Sequence, residues 1–219
     1  ANPGKRGPGC FYYGMIAPLQ PYAIRGVIWY QGESNVGNPV QYKTLFPALI
    51  QDWRDSWGQG HFPFLFVQIA PFHAMTPELR EAQLICWKKT TNTAMAVTTD
   101  CGHPTNIHPI HKEAVGARLA LAARAMAYGE KIEYSGPVYD SMKVEGDRVV
   151  LSFQHGGTGL VAQGGDLKGF TIAGAGTNFV PATARIEGDR ISVSSTNVPH
   201  PTAVRYGWAN VPDVNLYNK

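Results

Sequence analysis

Three short polar segments hold the side chains of this sequence that could do chemistry. They are residues 31–35 (Q-G-E-S-N), 71–73 (P-F-H) and 100–112 (D-C-G-H-P-T-N-I-H-P-I-H-K). Together they offer imidazoles, carboxylates and side-chain amides, the groups used for general acid–base catalysis and for stabilising a negatively charged oxygen. Such chemistry requires the fold to bring the three segments together.

Each polar segment follows a run that is typical of a buried strand. Residues 23–30, 62–70 and 94–99 are short and largely apolar, as in strands that a parallel sheet covers on both faces. Parallel strands end at the same edge of their sheet, and ligands of open α/β sheets bind at that edge. The spacing therefore predicts one cleft lined by all three segments.

Helical signals separate the predicted strands. Asn38 and Pro39 open a first helix that ends near Gly58. Its apolar residues form one stripe, made of Tyr42, Leu45, Phe46, Leu49, Ile50 and Trp53. Thr76 and Pro77 open a second helix that runs to about residue 89, and a third is predicted from about residue 110 to 128. Three tandem βα units indicate an α/β fold with a parallel sheet.

The pattern changes near residue 133 to short alternating runs. Turns such as Glu145-Gly146-Asp147 and Glu187-Gly188-Asp189 separate them, as in β-hairpins. We expect an α/β portion at residues 1–132 and a smaller, antiparallel β-rich region at residues 133–219.

Composition excludes several classes of protein. Lys and Arg number 19 against 16 Asp and Glu, without long runs of like charge, so nucleic acid is not an expected partner. No apolar stretch reaches the roughly 18 residues of a membrane helix, and residues 1–9 lack the apolar core of a secretory leader. The three cysteines, at positions 10, 86 and 101, support neither a disulfide framework nor a zinc ribbon, although one pair could form in an oxidising compartment.

Five motifs in one order resemble the sialate O-acetylesterase family. They are Y-G-M-I-A-P-L at 13–19, W-Y-Q-G-E-S-N at 29–35, L-R-E-A-Q at 79–83, I-H-P at 107–109 with Lys112, Gly116 and Arg118, and A-V-R-Y-G-W-A-N at 203–210. The resemblance implies an SGNH-hydrolase-like three-layer α/β/α domain, of which this chain is a part. It also implies a secreted or periplasmic carbohydrate acetylesterase that acts on an acetylated carbohydrate through a serine and a histidine, with no cofactor.

The resemblance also assigns roles to individual residues. His108 corresponds to the general base, and Gln31 with Gly32 corresponds to the block that stabilises the oxyanion. Asn35 is a further candidate for that task, and Glu33 is expected to hold the loop.

Arg80 and Glu81 are expected to form a buried pair that supports the cleft. Like the other roles, this one follows from the position of both residues within a matching motif.

Two departures from the family pattern shape the prediction. The Gly-Gln-Ser-Asn block with the nucleophilic serine is absent, and Ser34 lies in the oxyanion block instead. An N-terminal polypeptide is therefore the expected source of the serine. Where the family commonly has an aspartate shortly before the histidine, this chain has Thr105 and Asn106. Asp100 is the nearest carboxylate that could orient His108, and a backbone carbonyl is the alternative.

Two other functions remain open at this point. Four residues of the third polar segment could ligate a metal ion in a hydrolase, namely Asp100, His103, His108 and His111. The chain could also be a catalytically silent, purely structural fragment, or a remnant that binds carbohydrate through its tryptophans, although aromatic residues at these spacings are more often part of the core.

Overall fold

The computed structural model describes residue 7 and residues 9–219. Most of the N-terminal segment in which a leader was sought lies outside these residues. Three parallel strands form the first sheet in the order β1-β2-β3, with β1 at Val27–Trp29, β2 at Phe64–Val67 and β3 at Thr93–Ala96. This confirms the predicted α/β fold with a parallel sheet.

Three helices alternate with these strands and cover both faces of the sheet. They are α1 at Pro39–Trp57, α2 at Pro77–Lys89 and α3 at Glu113–Met126. Successive strand residues point to opposite faces. Phe64 and Phe66 accordingly pack with α1 and α2, while Leu65 packs with α3. A π-helical turn, Tyr12–Ile16, and two 3-10 turns, Ala17–Leu19 and Glu33–Asn35, complete the helical elements of the described residues.

The prediction that the first strand is covered on both faces is wrong. Strand β1 is three residues long, and its central Ile28 is 68% exposed. β1 lies at an edge of the sheet, and the residues of α3 reach Leu65 and Ala94 on the two strands beyond it. One face of β1 thus lacks a covering helix in the part of the chain that the structure describes.

The β-rich region forms three antiparallel sheets. Their strands are β4 at Val138–Glu145, β5 at Arg148–Gln154, β6 at Leu160–Ala162, β7 at Phe170–Ala173, β8 at Val180–Pro181, β9 at Thr183–Glu187, β10 at Arg190–Ser194, β11 at Ala203–Tyr206 and β12 at Leu216–Asn218. The sheet orders are β4-β5-β10-β9, β11-β7-β8 and β12-β6. Gly146 and Gly188 have φ values of 66° and 68° and sit in the two-residue hairpin turns that the sequence predicted.

Side-chain hydrogen bonds join the α/β portion to the β-rich region. The Tyr217 hydroxyl donates to Asp100 Oδ2 at 3.0 Å, and Asn210 Nδ2 donates to the His73 carbonyl at 2.6 Å. Helical structure gives way to strands between Met126 and Val138. The division into two domains near residue 132 stays a prediction.

No described helix is both long and apolar enough to cross a membrane. The three cysteines are free thiols, with Cys10 exposed and the other two buried.

Candidate active site

Residues 31–35 form a tight turn directly after β1. The Asn35 N–H donates to the Gly32 carbonyl at 2.8 Å, and Gln31 Nε2 donates to Asn35 Oδ1, also at 2.8 Å. The Gly32 N–H donates to Glu33 Oε2 at 3.0 Å, in line with the expectation that Glu33 holds the loop. The Asn35 Nδ2 group makes no hydrogen bond with any described residue. Gln31 therefore orients the Asn35 amide so that its N–H groups are available.

A buried glutamine supports this turn from behind. Gln83 on α2 is fully buried, and its Oε1 accepts the Ile69 N–H at 2.8 Å. Its Nε2 lies 3.4 Å from the Gln31 carbonyl, so one side chain connects the ends of β1 and β2. Gln83 matched the family pattern, but no role was predicted for it. Its position on the apolar stripe of α2, four residues after Leu79, is the signal that could have identified it.

The second and third polar segments pair through their backbones. The His103 N–H donates to the Pro71 carbonyl at 3.1 Å, and the His73 N–H donates to the Pro104 carbonyl at 3.0 Å. A Cβ atom on Gly102 would lie 2.5 Å from the Pro71 carbonyl oxygen, so this approach requires glycine. The loops after β2 and β3 thus meet as the sequence predicted.

The loop with His108 reaches the end of β1. Ile107 packs against the first hydrophobic core, and the Lys112 ammonium lies 4.6 Å from the centre of the Tyr30 ring, one residue before Gln31. His108 itself is exposed, and Asn106 Oδ1 accepts its backbone N–H at 2.9 Å. Its ring makes no hydrogen bond within the described chain, and is accessible to a reacting group.

The structure does not bring Asp100 to His108, contrary to the prediction. Arg118 on α3 binds both carboxylate oxygens of Asp100, at 2.7 Å and 2.6 Å, and Tyr217 donates to Oδ2. Burial tends to raise the pKa of this carboxyl, but the hydrogen bonds and charge of Arg118 outweigh it and lower the pKa to about 2. Asp100 anchors the start of the histidine loop to α3 and β12.

The depressed pKa of Asp100 makes a pH dependence of stability testable. A carboxyl whose pKa is lower in the folded than in the unfolded protein stabilises the fold above the unfolded pKa, and this stability is lost as the pH falls towards about 2. We expect Asp100→Asn to lower the free energy of unfolding at pH 7 by about 1 kcal/mol, a value reduced by the partial exposure of the pair. In urea titrations, the difference in free energy of unfolding between the parent and Asp100→Asn should become smaller between pH 5 and pH 3.

Asp147→Asn is the matched control for this prediction, because Asp147 is exposed in a hairpin turn and forms no ion pair with any described residue. A constant difference between parent and Asp100→Asn from pH 7 to pH 3 would contradict the stabilising role of the Asp100 carboxylate.

Arg80 and Glu81 do not form the expected pair. Arg80 is 4% exposed and donates only to backbone carbonyls, at 3.3 Å to Met75 and Asn210, at 3.5 Å to Gly207, and to Ala209. Glu81 instead lies 3.4 Å from the Lys43 ammonium. The two neighbours diverge because they lie about 100° apart on α2, and only Arg80 reaches the carbonyls of residues 207–210.

The metal-site alternative has no ligand set in the described part of the chain. Within it, no three His, Cys, Asp or Glu side chains are grouped so that they could hold a metal ion. Asp100 is bound to Arg118, and His103 Nδ1 accepts the N–H groups of Thr105 and Asn106 at 3.2 Å and 3.1 Å. His108 and His111 are exposed.

The tryptophans considered for carbohydrate binding are partly committed to the core. Trp29 packs edge-on against Trp53 in the first core, and Trp57 stacks on the same ring. Trp87 donates its Nε1–H to the Thr93 carbonyl at 3.0 Å. Trp208 is different, because its ring faces the guanidinium of Arg205 at 4.4 Å.

Comparisons with known proteins identify one family. Residues 9–126 match the family model described as carbohydrate esterase, sialic acid-specific acetylesterase. Sialate O-acetylesterases of Mus musculus and Homo sapiens are 34% and 32% identical to this chain, and in both cases 90% of the chain is aligned. The chain spans less than half of the length of these relatives, 42% and 43%.

A crystal structure of a carbohydrate acetylesterase from Xanthomonas citri superimposes with a TM-score of 0.92 at 46% sequence identity. The match covers 98% of this chain and 52% of that one. The agreement of sequence motifs, family model and fold shows that the chain belongs to the sialic acid-specific acetylesterase family of carbohydrate esterases.

Proposed function

We propose that this chain provides the general base and the oxyanion-binding turn of a carbohydrate O-acetylesterase. The observation that carries the proposal is the turn at residues 31–35, where Gln31 holds the Asn35 amide and the Asn35 N–H groups pair with no described residue. The contact of Lys112 with Tyr30 supports the proximity of His108, since it brings the histidine loop to the same strand end.

The proposed first half-reaction forms an acetyl-enzyme. A serine hydroxyl attacks the acetyl carbonyl carbon while His108 accepts the hydroxyl proton. The carbonyl oxygen becomes negative and is bound by the Asn35 Nδ2–H and by the Gly32 N–H, once Glu33 releases the latter. The tetrahedral intermediate then expels the sugar oxygen, which takes its proton from the imidazolium of His108.

The second half-reaction hydrolyses the acetyl-serine ester. His108 accepts a proton from water, the resulting hydroxide attacks the acetyl carbon, and the same two N–H donors bind the negative oxygen. Collapse of this intermediate releases acetic acid, which ionises to acetate, and the imidazolium returns its proton to the serine. None of these steps requires a cofactor.

The serine is proposed to come from a polypeptide stretch outside these 219 residues. Ser34 is exposed on the same turn as the proposed oxyanion donors. That turn is proposed to bind the carbonyl oxygen, whereas the nucleophile must reach the carbonyl carbon, so Ser34 is not the proposed nucleophile. The names of the relatives specify sialate in one case and carbohydrate in the other. For this chain, the specific acetylated sugar and a secreted location stay predictions.

A chimera tests this proposal directly. In it, this chain replaces the matching part of the Xanthomonas citri acetylesterase, so that the remainder of that protein supplies the missing elements. We expect acetate release from an acetylated sugar or from p-nitrophenyl acetate by the chimera, and none by this chain alone.

Two outcomes would contradict the proposal. A folded but inert chimera would remove the esterase function and leave the catalytically silent alternative. Hydrolysis by the isolated chain that disappears in Ser34→Ala would place the nucleophile within these residues.

A further inference from the structure

A cavity of about 870 Å³ lies between the α/β portion and the β-rich region. Its walls include Trp87 on α2, Met95 on the edge strand β3, Phe153 on β5 and Arg205 on β11. The volume and the mainly aromatic and aliphatic walls are those of a small-molecule site. Gln68 and Asp100, just after β2 and β3, also line this cavity, so it extends to the sheet edge that carries the candidate active site.

Arg205 is the unusual residue of this cavity. Its guanidinium carbon lies 4.0 Å from the centre of the Phe179 ring and 4.4 Å from that of the Trp208 ring. The side chain makes no hydrogen bond or ion pair with any residue that the structure describes. The two aromatic contacts position the guanidinium group, and its N–H groups remain available as donors. Such an arrangement is suited to two parallel hydrogen bonds with a carboxylate.

Most of the other charged side chains of the cavity already have partners. Three side-chain carboxylates line it, and each has a partner: Glu81 contacts the Lys43 ammonium, Asp100 the Arg118 guanidinium and Glu133 the imidazole of His155. Arg80, also in the wall, has its donors on backbone carbonyls. Arg205 and Lys219 are thus the cationic side chains of the cavity that have no hydrogen-bond or ion-pair partner among the described residues, and the cavity favours an anion.

We propose that Arg205 binds the carboxylate of a small acid whose body offers C–H faces to the surrounding aromatic rings, as an acidic sugar does. The guanidinium supplies the charge recognition, and Trp208 and the other rings supply apolar contact. This inference extends the proposed function by assigning recognition of a charged ligand to one side chain. It concerns binding alone, so it can succeed or fail independently of the hydrolytic reaction.

Calorimetric titration of the intact chain with N-acetylneuraminate tests the proposal. N-acetylmannosamine, which has no carboxylate, and sodium sulfate, which has no sugar, are the comparison ligands. We expect N-acetylneuraminate to bind at least 10-fold more tightly than either. Arg205→Gln should weaken its binding about 10- to 100-fold, since the carboxylate loses its charged partner.

Arg185→Gln is the matched control, because Arg185 lies exposed on β9 and does not line the cavity. Arg205→Lys keeps the charge but loses the planar fork, so it should retain an intermediate affinity while the fold, checked by thermal melting, stays intact. Equal binding of the neutral sugar, equal binding of sulfate, or unchanged affinity in a folded Arg205→Gln would each overturn the proposal. A chimera that is inert while its Arg205-dependent binding persists would contradict the esterase function and leave this inference standing.

Discussion

His108→Ala in the chimera is expected to lower the rate of acetate release by about 10²- to 10⁴-fold. The imidazole is proposed to accept the serine proton in acylation and the water proton in deacylation, so its loss slows both half-reactions. Because His108 is exposed and its ring makes no hydrogen bond with described residues, the substitution should leave stability nearly unchanged. Initial rates at saturating substrate, together with a thermal melt, separate the two effects.

The matched control is His111→Ala. His111 is exposed on the same loop, three residues further along, and has no role in the proposed reaction. Its substitution should change the rate by less than about 3-fold, the scale of a surface change without catalytic contact. Equal losses in the two variants would mean that the loop as a whole, and not the imidazole of His108, supports turnover.

Helices were predictable from the sequence where their signals are local. The bounds expected for α2, from Pro77 to Lys89, match the structure, because a proline in the first turn and an apolar stripe act within one turn of the chain. The hairpin turn at Glu145-Gly146-Asp147 was a local signal as well, but strand β4, which precedes it, has no regular alternation of buried and exposed residues. A bulge between Tyr139 and Ser141 interrupts its alternation, and six of its residues are exposed.

Long-range contacts were beyond the sequence. An apolar run such as β1 indicates a strand, but it does not show whether a neighbouring element covers each face. In the same way, Asp100 is the carboxylate nearest to His108 in the sequence, and no neighbouring residue indicates that Arg118 and Tyr217 bind it instead. Hydrogen-bond partners that lie 18 and 117 residues away along the chain depend on the packing of whole elements.

The candidate site was predictable as a set of strand ends, and less so as a set of hydrogen bonds. Parallel topology alone places the three polar segments at one edge of the sheet. The orientation of the Asn35 amide by Gln31, and the support of the Gln31 carbonyl by Gln83, arise from side-chain packing that composition does not encode. Sequence reasoning ranked Gln31 above Asn35 as an oxyanion donor, whereas the hydrogen bonds favour Asn35 as the donor and Gln31 as its support.

Buried arginines illustrate the same limit. Arg54 on α1 and Arg80 on α2 are 3% and 4% exposed, and both donate to backbone carbonyls instead of carboxylates. Arg54 binds the carbonyls of Phe62, Thr91 and Asn92, which tie α1 to the beginnings of β2 and β3. Because every residue has a backbone carbonyl, the positions of charged residues in the sequence do not show which carbonyls an arginine will bind. Neither role could therefore be predicted from the charge pattern.

Arg80→Met is expected to lower the free energy of unfolding by about 3 kcal/mol. Burial disfavours the charged guanidinium and lowers its pKa to about 10, yet the group remains protonated at neutral pH and donates to carbonyls of Met75, Gly207, Ala209 and Asn210. Methionine fills much of the same volume but donates to none of these carbonyls, of which Gly207 alone keeps a described partner, the Ala209 N–H. Urea titration at pH 7 measures the loss.

Glu81→Gln serves as the control, because Glu81 is the next residue on α2 and its contact with Lys43 is partly exposed, which makes it worth about 0–1 kcal/mol. Limited proteolysis adds a local readout. Three of the four carbonyl partners lie in residues 207–210, so Arg80→Met should speed cleavage in this loop ahead of global unfolding. A loss within 1 kcal/mol and an unchanged cleavage rate would show that Asn210 and Tyr217 hold the two parts of the chain together without Arg80, and that the guanidinium is dispensable at this junction.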